Sequence, residues 1–302
     1  MTAPRIHVFG SINIDYVYRV PHAPAAGETL SDTGREVHLG GKGANQALAA
    51  ARAGAEVMLA GAVGADGAWT LERLAAGGVD VTGVLEIDAA TGHAVILVEP
   101  DGENRIILHG GANRALPESV LDKALATAQS GDWWLTQNET ARVRDSMAAA
   151  QAQGLVTAHA AAPFVPADAE TVLPHADLLA VNAVEEATLT KHLGGAVAVP
   201  RLLVTRGAEG AQWRETTDAG PKPISVPAFP VTPFDTTGAG DCFLGYVLAG
   251  LALGHEAETA LRRAAAAAAI TVTRPGAADA IPDAAEVDAF LREATERKAT
   301  EP

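Results

Sequence analysis

Short apolar runs recur along the chain, and the longer stretches between them return apolar residues every three or four positions. Residues 5–10, 56–61, 133–136, 155–158, 178–181 and 202–205 read as buried strands, with 81–87 extended as well. Residues 40–53, 66–77, 117–128, 141–151 and 185–193 carry helical periodicity, and three further helices are expected near 240–253, 257–273 and 284–294. Strands alternating with helices predict an α/β fold, a mostly parallel central sheet flanked by helices in three layers. The polar residues 295–302 are expected to fray.

A second rhythm is confined to a few segments. Ile12, Asn13, Ile14 and Asp15 alternate strictly, which puts Asn13 and Asp15 on one face of a strand. Residues 16–20 continue it, Pro21, Pro24 and Gly27 interrupt it, and 28–39 resumes extended character. Residues 93–98 and 104–109 flank Pro100-Asp101-Gly102, a hairpin signal. Together these pieces predict a small β-sheet, partly exposed, with strands near 13–20, 28–39, 93–98 and 104–109. Residues 212–226 read as short meandering strands broken at Gly220-Pro221. With no repeat, linker or low-complexity boundary in view, residues 1–302 are expected to form a single domain in which the small sheet is an inserted lid.

Composition narrows the function. At 302 residues and 48% hydrophobic, the chain has ample core to bury. A net charge of −15 argues against a nucleic-acid partner, which calls for a basic face, but leaves room for a local anion cradle. The single cysteine, Cys242, rules out an internal disulfide and suits a reducing compartment. The amino terminus lacks the pattern of a signal peptide, and the longest apolar run, 264–270, is far short of the roughly 20 residues that cross a bilayer. A cytoplasmic protein without a membrane span is expected.

Candidate chemistry concentrates in Asp235-Thr236-Thr237-Gly238-Ala239-Gly240-Asp241, ahead of a helix. Small side chains at Gly238, Ala239 and Gly240 leave the backbone N–H groups open at the positive end of that helix, an anion site. Asp241 beside it reads as a general base. The plainer alternative is a turn cap at Asp235 and dipole compensation at Asp241, about 0.3–1 kcal/mol, which leaves both glycines without a purpose. Gly40-Gly41-Lys42-Gly43-Ala44-Asn45-Gln46-Ala47 fits neither a P-loop nor a dinucleotide fingerprint. It is either a structural helix entry or a ligand site in which Lys42 and Asn45 share one side. Asn182 and Glu185, three residues apart after a strand, suit a hydrated magnesium or, equally, a capping box. Glu139 also follows a strand and could be a helix N-terminal acid. The histidines show no metal-ligand spacing, and Cys242 reads as packing.

In combination these segments resemble the ribokinase-like (PfkB-type) carbohydrate and nucleoside kinase family. Residues 40–47 are similar to its first signature, residues 235–241 to its second, and Asn182-Ala183-Val184-Glu185 to its Asn-x-x-Glu magnesium and phosphate element. Their order and spacing fit across nearly the whole chain. Gly10-Ser11-Ile12-Asn13-Ile14-Asp15, Thr91-Gly92-His93-Ala94, Gly102-Glu103-Asn104 and Gly110-Gly111-Ala112-Asn113 are most similar to the ribose-phosphorylating members.

The resemblance implies an ATP-dependent transfer to the primary hydroxyl of a sugar, D-ribose giving ribose 5-phosphate, with nucleosides, fructose or 2-keto-3-deoxygluconate as alternative acceptors. A catalytically silent sugar sensor is the alternative from another class. Asp241 would take the hydroxyl proton while the Gly238, Ala239 and Gly240 amides stabilise the transferring group. Asn13, Asp15, Gly41, Lys42, Asn45 and Glu139 would hold the sugar. Asn182, Thr205, Gly207, Gly210, Gly238 and Gly240 would face the nucleotide, and Asn182 and Glu185 would hold Mg2+ through water. A monovalent cation, K+, would sit on carbonyls of Asp235, Thr237, Thr271, Arg274 and Gly276. Ala280 departs from the family there, where relatives offer a side-chain oxygen, and Ala264 is smaller than its counterpart near the adenine. Pairing of two lids implies a homodimer.

Overall fold

The first apolar run becomes β1 (Ile6–Phe9), fully buried, with a parallel neighbour on each side. A computed structural model describes residues 3–217 and 220–300. After β1 come β2 (Asn13–Arg19), β3 (Gly34–Gly40), α1 (Lys42–Arg52), β4 (Val57–Val63), α2 (Ala68–Ala76), β5 (Val79–Glu86), β6 (Gly92–Val98) and β7 (Asn104–His109). The middle of the chain forms α3 (Gly111–Arg114), α4 (Glu118–Thr127), β8 (Trp133–Gln137), α5 (Val143–Ala152), β9 (Val156–Ala160), α6 (Pro166–Val172), β10 (Leu178–Asn182) and α7 (Ala183–Leu193). It ends with β11 (Arg201–Thr205), β12 (Ala211–Thr217), β13 (Gly220–Val226), α8 (Ala239–Ala252), α9 (Ala257–Thr271) and α10 (Ala284–Thr300).

Among the described residues the large sheet has nine strands in the order β13-β12-β11-β10-β9-β8-β1-β4-β5. It is parallel from β11 to β5, and the β12–β13 hairpin adds an antiparallel edge. The central strands are buried and mostly apolar because helices cover both faces, with His7, Thr136, Gln137, Thr157 and His159 as buried polar exceptions. A second sheet, β3-β2-β6-β7, stands apart, with β2 antiparallel to β3 and parallel to β6. The mixed α/β architecture with a mostly parallel sheet, flanking helices and a small extra sheet is the one expected.

Two helices do most to place the site. α8 is buried from Cys242 to Gly250, and α1 from Gly43 to Ala50. They approach closely because Gly245 has no side chain: a Cβ there would stand 2.6 Å from Ala49 Cβ and 2.7 Å from Gln46 O. Both helices begin beside the carboxyl ends of the central strands, where ligands collect in open α/β sheets.

Several elements differ from expectation. Extended structure was expected over 28–39, but β3 covers only Gly34–Gly40, since β2 offers only Asn13–Arg19 to pair with it, one residue against one. The preceding segment turns instead, with Gly27 at φ 83 and Glu28 N donating to Ala25 O. Helix α10 runs on through Thr300 where fraying was expected from 295, because Glu296, Arg297, Lys298 and Ala299 are good helix formers; residues 301–302 lie outside the described chain. The short α3 and α6 were not foreseen. α6 opens with Pro166 at its first position and Asp168 in its first turn. The break expected at Gly220-Pro221 is the start of β13, and residues 218–219 are not described.

Candidate active site

The turn out of β1 is held by close packing rather than by regular structure. A Cβ on Gly43 would stand 2.5 Å from Ser11 N, and one on Gly41, at φ 92, would stand 2.8 Å from Asn13 N. Residues 10–13 therefore lie directly against the start of α1. Ser11 Oγ donates to Glu139 Oε2 (2.5 Å) and accepts from Gly43 N (3.2 Å), while Lys42 N also donates to Glu139 Oε2 (3.1 Å). Asn13 is buried and its Oδ1 accepts from Asn113 Nδ2 (2.8 Å). Asp15 comes next on that face of β2, packed over the backbone of Gly40. Burial pushes its carboxyl up to about 6, helped by the charge of Glu139 and opposed by His38 and Lys42.

Lys42 lies within electrostatic reach of four carboxylates. Asp241 holds its ammonium charged above the ordinary lysine range; burial opposes this, and Glu139, Glu185 and Asp15 add to it. Asp241, in the first turn of α8, receives hydrogen bonds at both oxygens. Gln46 Nε2 donates to Oδ1 (2.7 Å) and Asn45 Nδ2 to Oδ2 (3.3 Å). Gln46 in turn accepts at Oε1 from Gln137 Nε2 (2.7 Å). Asn45 Oδ1 is buried without a hydrogen-bond partner among the described residues, spare acceptor capacity beside Asp241.

On the other side of Lys42 and Asp241 lies a cavity of about 230 Å3. Gln46, Asn182, Glu185, Thr205, Gly238 and Gly240 share its lining with them. That is below the roughly 300–1,000 Å3 of whole-ligand pockets. Gly238 is the N-cap of α8 at φ 73, and no side chain among the described residues caps the helix. The first N–H groups of a helix have no acceptor within it, and here Ala239 N donates outside the helix to Thr236 O (3.3 Å), so an anion at this end would meet the N–H groups that follow. Gly238 is a glycine for backbone reasons, with Ala277 Cβ 2.8 Å from where its own would be. Gly240 has open space at that position, so nothing in the chain itself demands its small size.

Asn182 and Glu185 realise the capping-box alternative in full. Asn182 Oδ1 accepts from Val184 N and Glu185 N, both at 2.9 Å, and Glu185 Oε2 accepts from Asn182 N at 2.8 Å. Both residues nevertheless line the cavity, and burial raises the Glu185 carboxyl, partly offset by the Asn182 hydrogen bond and Lys42. Thr205 pairs with Asn182 across β11 and β10. Gly207 and Gly210 lie in the turn after it, outside the cavity lining, and Gly210 packs against Val226 O.

Behind the start of α8, Asp235 ties two loops together. Its Oδ1 accepts from Thr237 N and its Oδ2 from Gly276 N, both at 2.9 Å, while Val272 O accepts from Phe234 N and Asp235 N. Burial raises the Asp235 carboxyl, and these hydrogen bonds outweigh it to leave it below the ordinary range. The segments carrying Asp235, Thr237, Thr271, Arg274 and Gly276 are thus brought together, and Arg274 N donates to Thr271 O. Ala280 is buried and offers no oxygen from its side chain. Cys242 is fully buried, and burial pushes its thiol up to about 12, in keeping with a packing role.

Sequence reasoning passed over Ser11, Gln46 and Gln137. Two of them left a local signal: Gln46 is one helical turn after Lys42, and Gln137 precedes Glu139 by two residues at a strand end.

Comparison with known proteins gives the family. The family model of pfkB family carbohydrate kinases matches residues 3–284. The chain belongs to that family. It is 35% identical over 297 residues to the ribokinase of Bacillus subtilis (strain 168), covering 95% of this chain and 99% of that one. The structure of Arabidopsis thaliana ribokinase complexed with ribose and ATP superposes with a TM-score of 0.84 at 30% identity, covering 96% of this chain and 99% of that one. Ribokinase from Cryptococcus neoformans var. grubii serotype A in complex with ADP gives 0.82 at 34% identity, over 95% and 99%. The kinase is therefore an ATP-dependent carbohydrate kinase. Among its described residues no helix is long and apolar enough to cross a membrane, and no group of three or more His, Cys, Asp or Glu side chains is placed to hold a metal.

Proposed function

We propose that the kinase transfers the γ-phosphoryl group of ATP to the primary hydroxyl of D-ribose, giving ribose 5-phosphate. The observation that carries this reading is that Lys42, Asp241 and the uncapped start of α8 line one cavity, with the polar side chains of Asn45 and Glu139 bonded to Asp241 and to Lys42 N beside it. Asn13, Asp15, Gly41, Lys42, Asn45 and Glu139 hold the hydroxyls; an ionised Asp15 accepts from two adjacent ones. Asp241 removes the proton from the attacking hydroxyl, and the Gly238, Ala239 and Gly240 amides receive the charge that develops on the transferring group. Thr205, Gly207 and Gly210 serve the nucleotide side together with Asn182.

The capping box engages only Oε2 of Glu185, and the other oxygen of this half-buried, cavity-lining carboxylate suits Mg2+ that keeps most of its waters. Such an ion, held by Glu185 and Asn182 through water, supplies charge neutralisation on the phosphates. The cross-tied loops at 235–237 and 271–276 fit K+ through their carbonyls, without a side-chain contribution from Ala280. The small sheet acts as a lid that excludes water, and two lids pair in a cytoplasmic homodimer.

The test is ADP release with ribose, deoxyribose, fructose, 2-keto-3-deoxygluconate, adenosine and pseudouridine, each with and without potassium. Ribose is expected among the best acceptors. If it is not, the ribose assignment falls and family membership stands; sugar binding without ADP release would mark a silent sensor instead.

A further inference from the structure

We infer that Gln137 and Gln46 are positioning residues, a relay of two amides that fixes the rotation of the Asp241 carboxylate. The inference rests on the reading of Asp241 as the base. The relay joins three separate elements: the last residue of β8, the second turn of α1 and the first turn of α8. Both links are 2.7 Å long, and Gln137 and Gln46 are 0% and 1% exposed.

The polarity of the relay is dictated from its Asp241 end. A carboxylate only accepts, so Gln46 must turn its NH2 toward Asp241 and its carbonyl away. That carbonyl then needs a donor, and Gln137 Nε2 supplies it. Were Gln46 to turn over, its oxygen would face the carboxylate. Gln137 thus decides which end of Gln46 meets the base. Gln46 in turn decides which way the carboxylate is rotated, because its bond to Oδ1 is the shorter of the two that Asp241 receives.

The seating of Gln137 points the same way. Its Oε1 is buried with no hydrogen-bond partner among the described residues, and the space for it depends on Gly10, where a Cβ would stand 2.4 Å away. An unpaired buried carbonyl is costly, and a methionine of the same length would fill the position without that cost. The amide is therefore retained for its donor. Gln137 is not part of the cavity lining, so its influence on turnover must pass through Gln46.

The experiment measures kcat, KM for ribose, KM for ATP and thermal stability in Gln137→Met, Gln46→Met, the double variant and Asp241→Asn. Since an ångström of misplacement can cost about a hundredfold in rate, Gln46→Met should lose about that much in kcat, and Gln137→Met about tenfold. Both KM values should stay within about twofold in Gln137→Met. In the double variant the loss should be no larger than in Gln46→Met alone, because the two amides act in series. A Gln137→Met enzyme with kcat within about twofold of wild type overturns the relay, as do single losses that multiply in the double variant. Gln137→Leu, judged by the same criteria, replaces Gln137→Met if the latter does not fold. An inactive Asp241→Asn beside a normal Gln137→Met sinks the relay alone; an active Asp241→Asn sinks the base and the relay together.

Discussion

Asp15 on β2 stands directly opposite His38 on β3, one residue beyond the buried Ile14, and its carboxyl is pushed up to about 6. Burial is the main cause, the charge of Glu139 adds to it, and His38 and Lys42 reduce it. A protonated Asp15 donates where a sugar diol needs an acceptor. KM for ribose is therefore expected to rise as pH falls through about 6, approaching tenfold per unit below it. Initial rates at saturating ATP between about pH 5 and 8 measure this; a flat KM across that range would remove Asp15 from the sugar site.

The same shift makes a stability prediction of opposite appearance. The folded protein binds the Asp15 proton more tightly than the unfolded chain does, so the ionised carboxylate is a penalty, present above about 6 and absent below the ordinary aspartate value of 3.8. Asp15→Asn is expected to stabilise the neutral-pH protein by up to about 3 kcal/mol while weakening ribose binding. The gain should shrink as pH is lowered through 6. Denaturant midpoints at two pH values decide it, and a variant less stable than wild type at neutral pH contradicts the assignment.

Gly238 and Gly240 are glycines for different reasons, and alanine substitution separates them. At Gly238, φ is 73 and Ala277 Cβ lies 2.8 Å from a new Cβ, so Gly238→Ala should lose about 1–2 kcal/mol of stability. At Gly240 there is open space, and alanine in a helix should leave stability unchanged or raise it by up to about 1 kcal/mol. Gly240→Ala should nevertheless lower kcat/KM for ATP by about tenfold or more, because the methyl group enters the phosphate cradle. Normal kinetics in Gly240→Ala would mean that the cradle is not where the phosphates bind.

The parts of the site that were legible in the sequence are those in which a few adjacent residues carry the geometry. Gly238 to Asp241, Gly41 to Asn45 and the Asn182–Glu185 pair each lie at a strand end or helix start, so local spacing sufficed. The Gln137–Gln46–Asp241 relay joins residues 91 and 195 positions apart, and the spacing of Gln46 from Lys42 or of Gln137 from Glu139 does not say that the two amides meet. Gly245 was equally silent: within an apolar helix its meaning appears only when Ala49 and Gln46 are packed against it. For the fold, long apolar rhythms gave the large sheet. The segment before β3 was misread because its strand length is set by β2, a partner in space rather than by its own composition.

Strand β7 is an edge of the small sheet, and Ile106, Ile107 and Leu108 are 52%, 68% and 54% exposed there. Apolar side chains on both faces of an open edge call for a covering surface. For the proposed homodimer, sedimentation should show a dimer at micromolar concentration, and Ile107→Asp should shift it to monomer. A monomeric wild type, or a dimer unaffected by Ile107→Asp, would place the contact elsewhere or abolish it.

The approach of α1 to α8 at Gly245 sets the distance between the amide of Gln46 and the carboxylate of Asp241, which sit on the facing helices one turn away. A Cβ at Gly245 would lie 2.6 Å from Ala49 Cβ, 2.7 Å from Gln46 O and 3.0 Å from Ala50 N, and two of those three atoms are backbone that cannot step aside. Gly245→Ala must therefore move one helix against the other. Overpacking of this kind costs about 1–3 kcal/mol, and here it should also lower kcat by an order of magnitude or so, since the displaced turn carries Gln46 and Asn45. Removing the side-chain clash with Ala49→Gly should recover only part of either loss, because Gln46 O and Ala50 N remain in the way. Thermal unfolding and kcat measured together test this coupling. A Gly245→Ala enzyme that loses stability but keeps full turnover would show that the helix approach supports the fold without setting the geometry of the base.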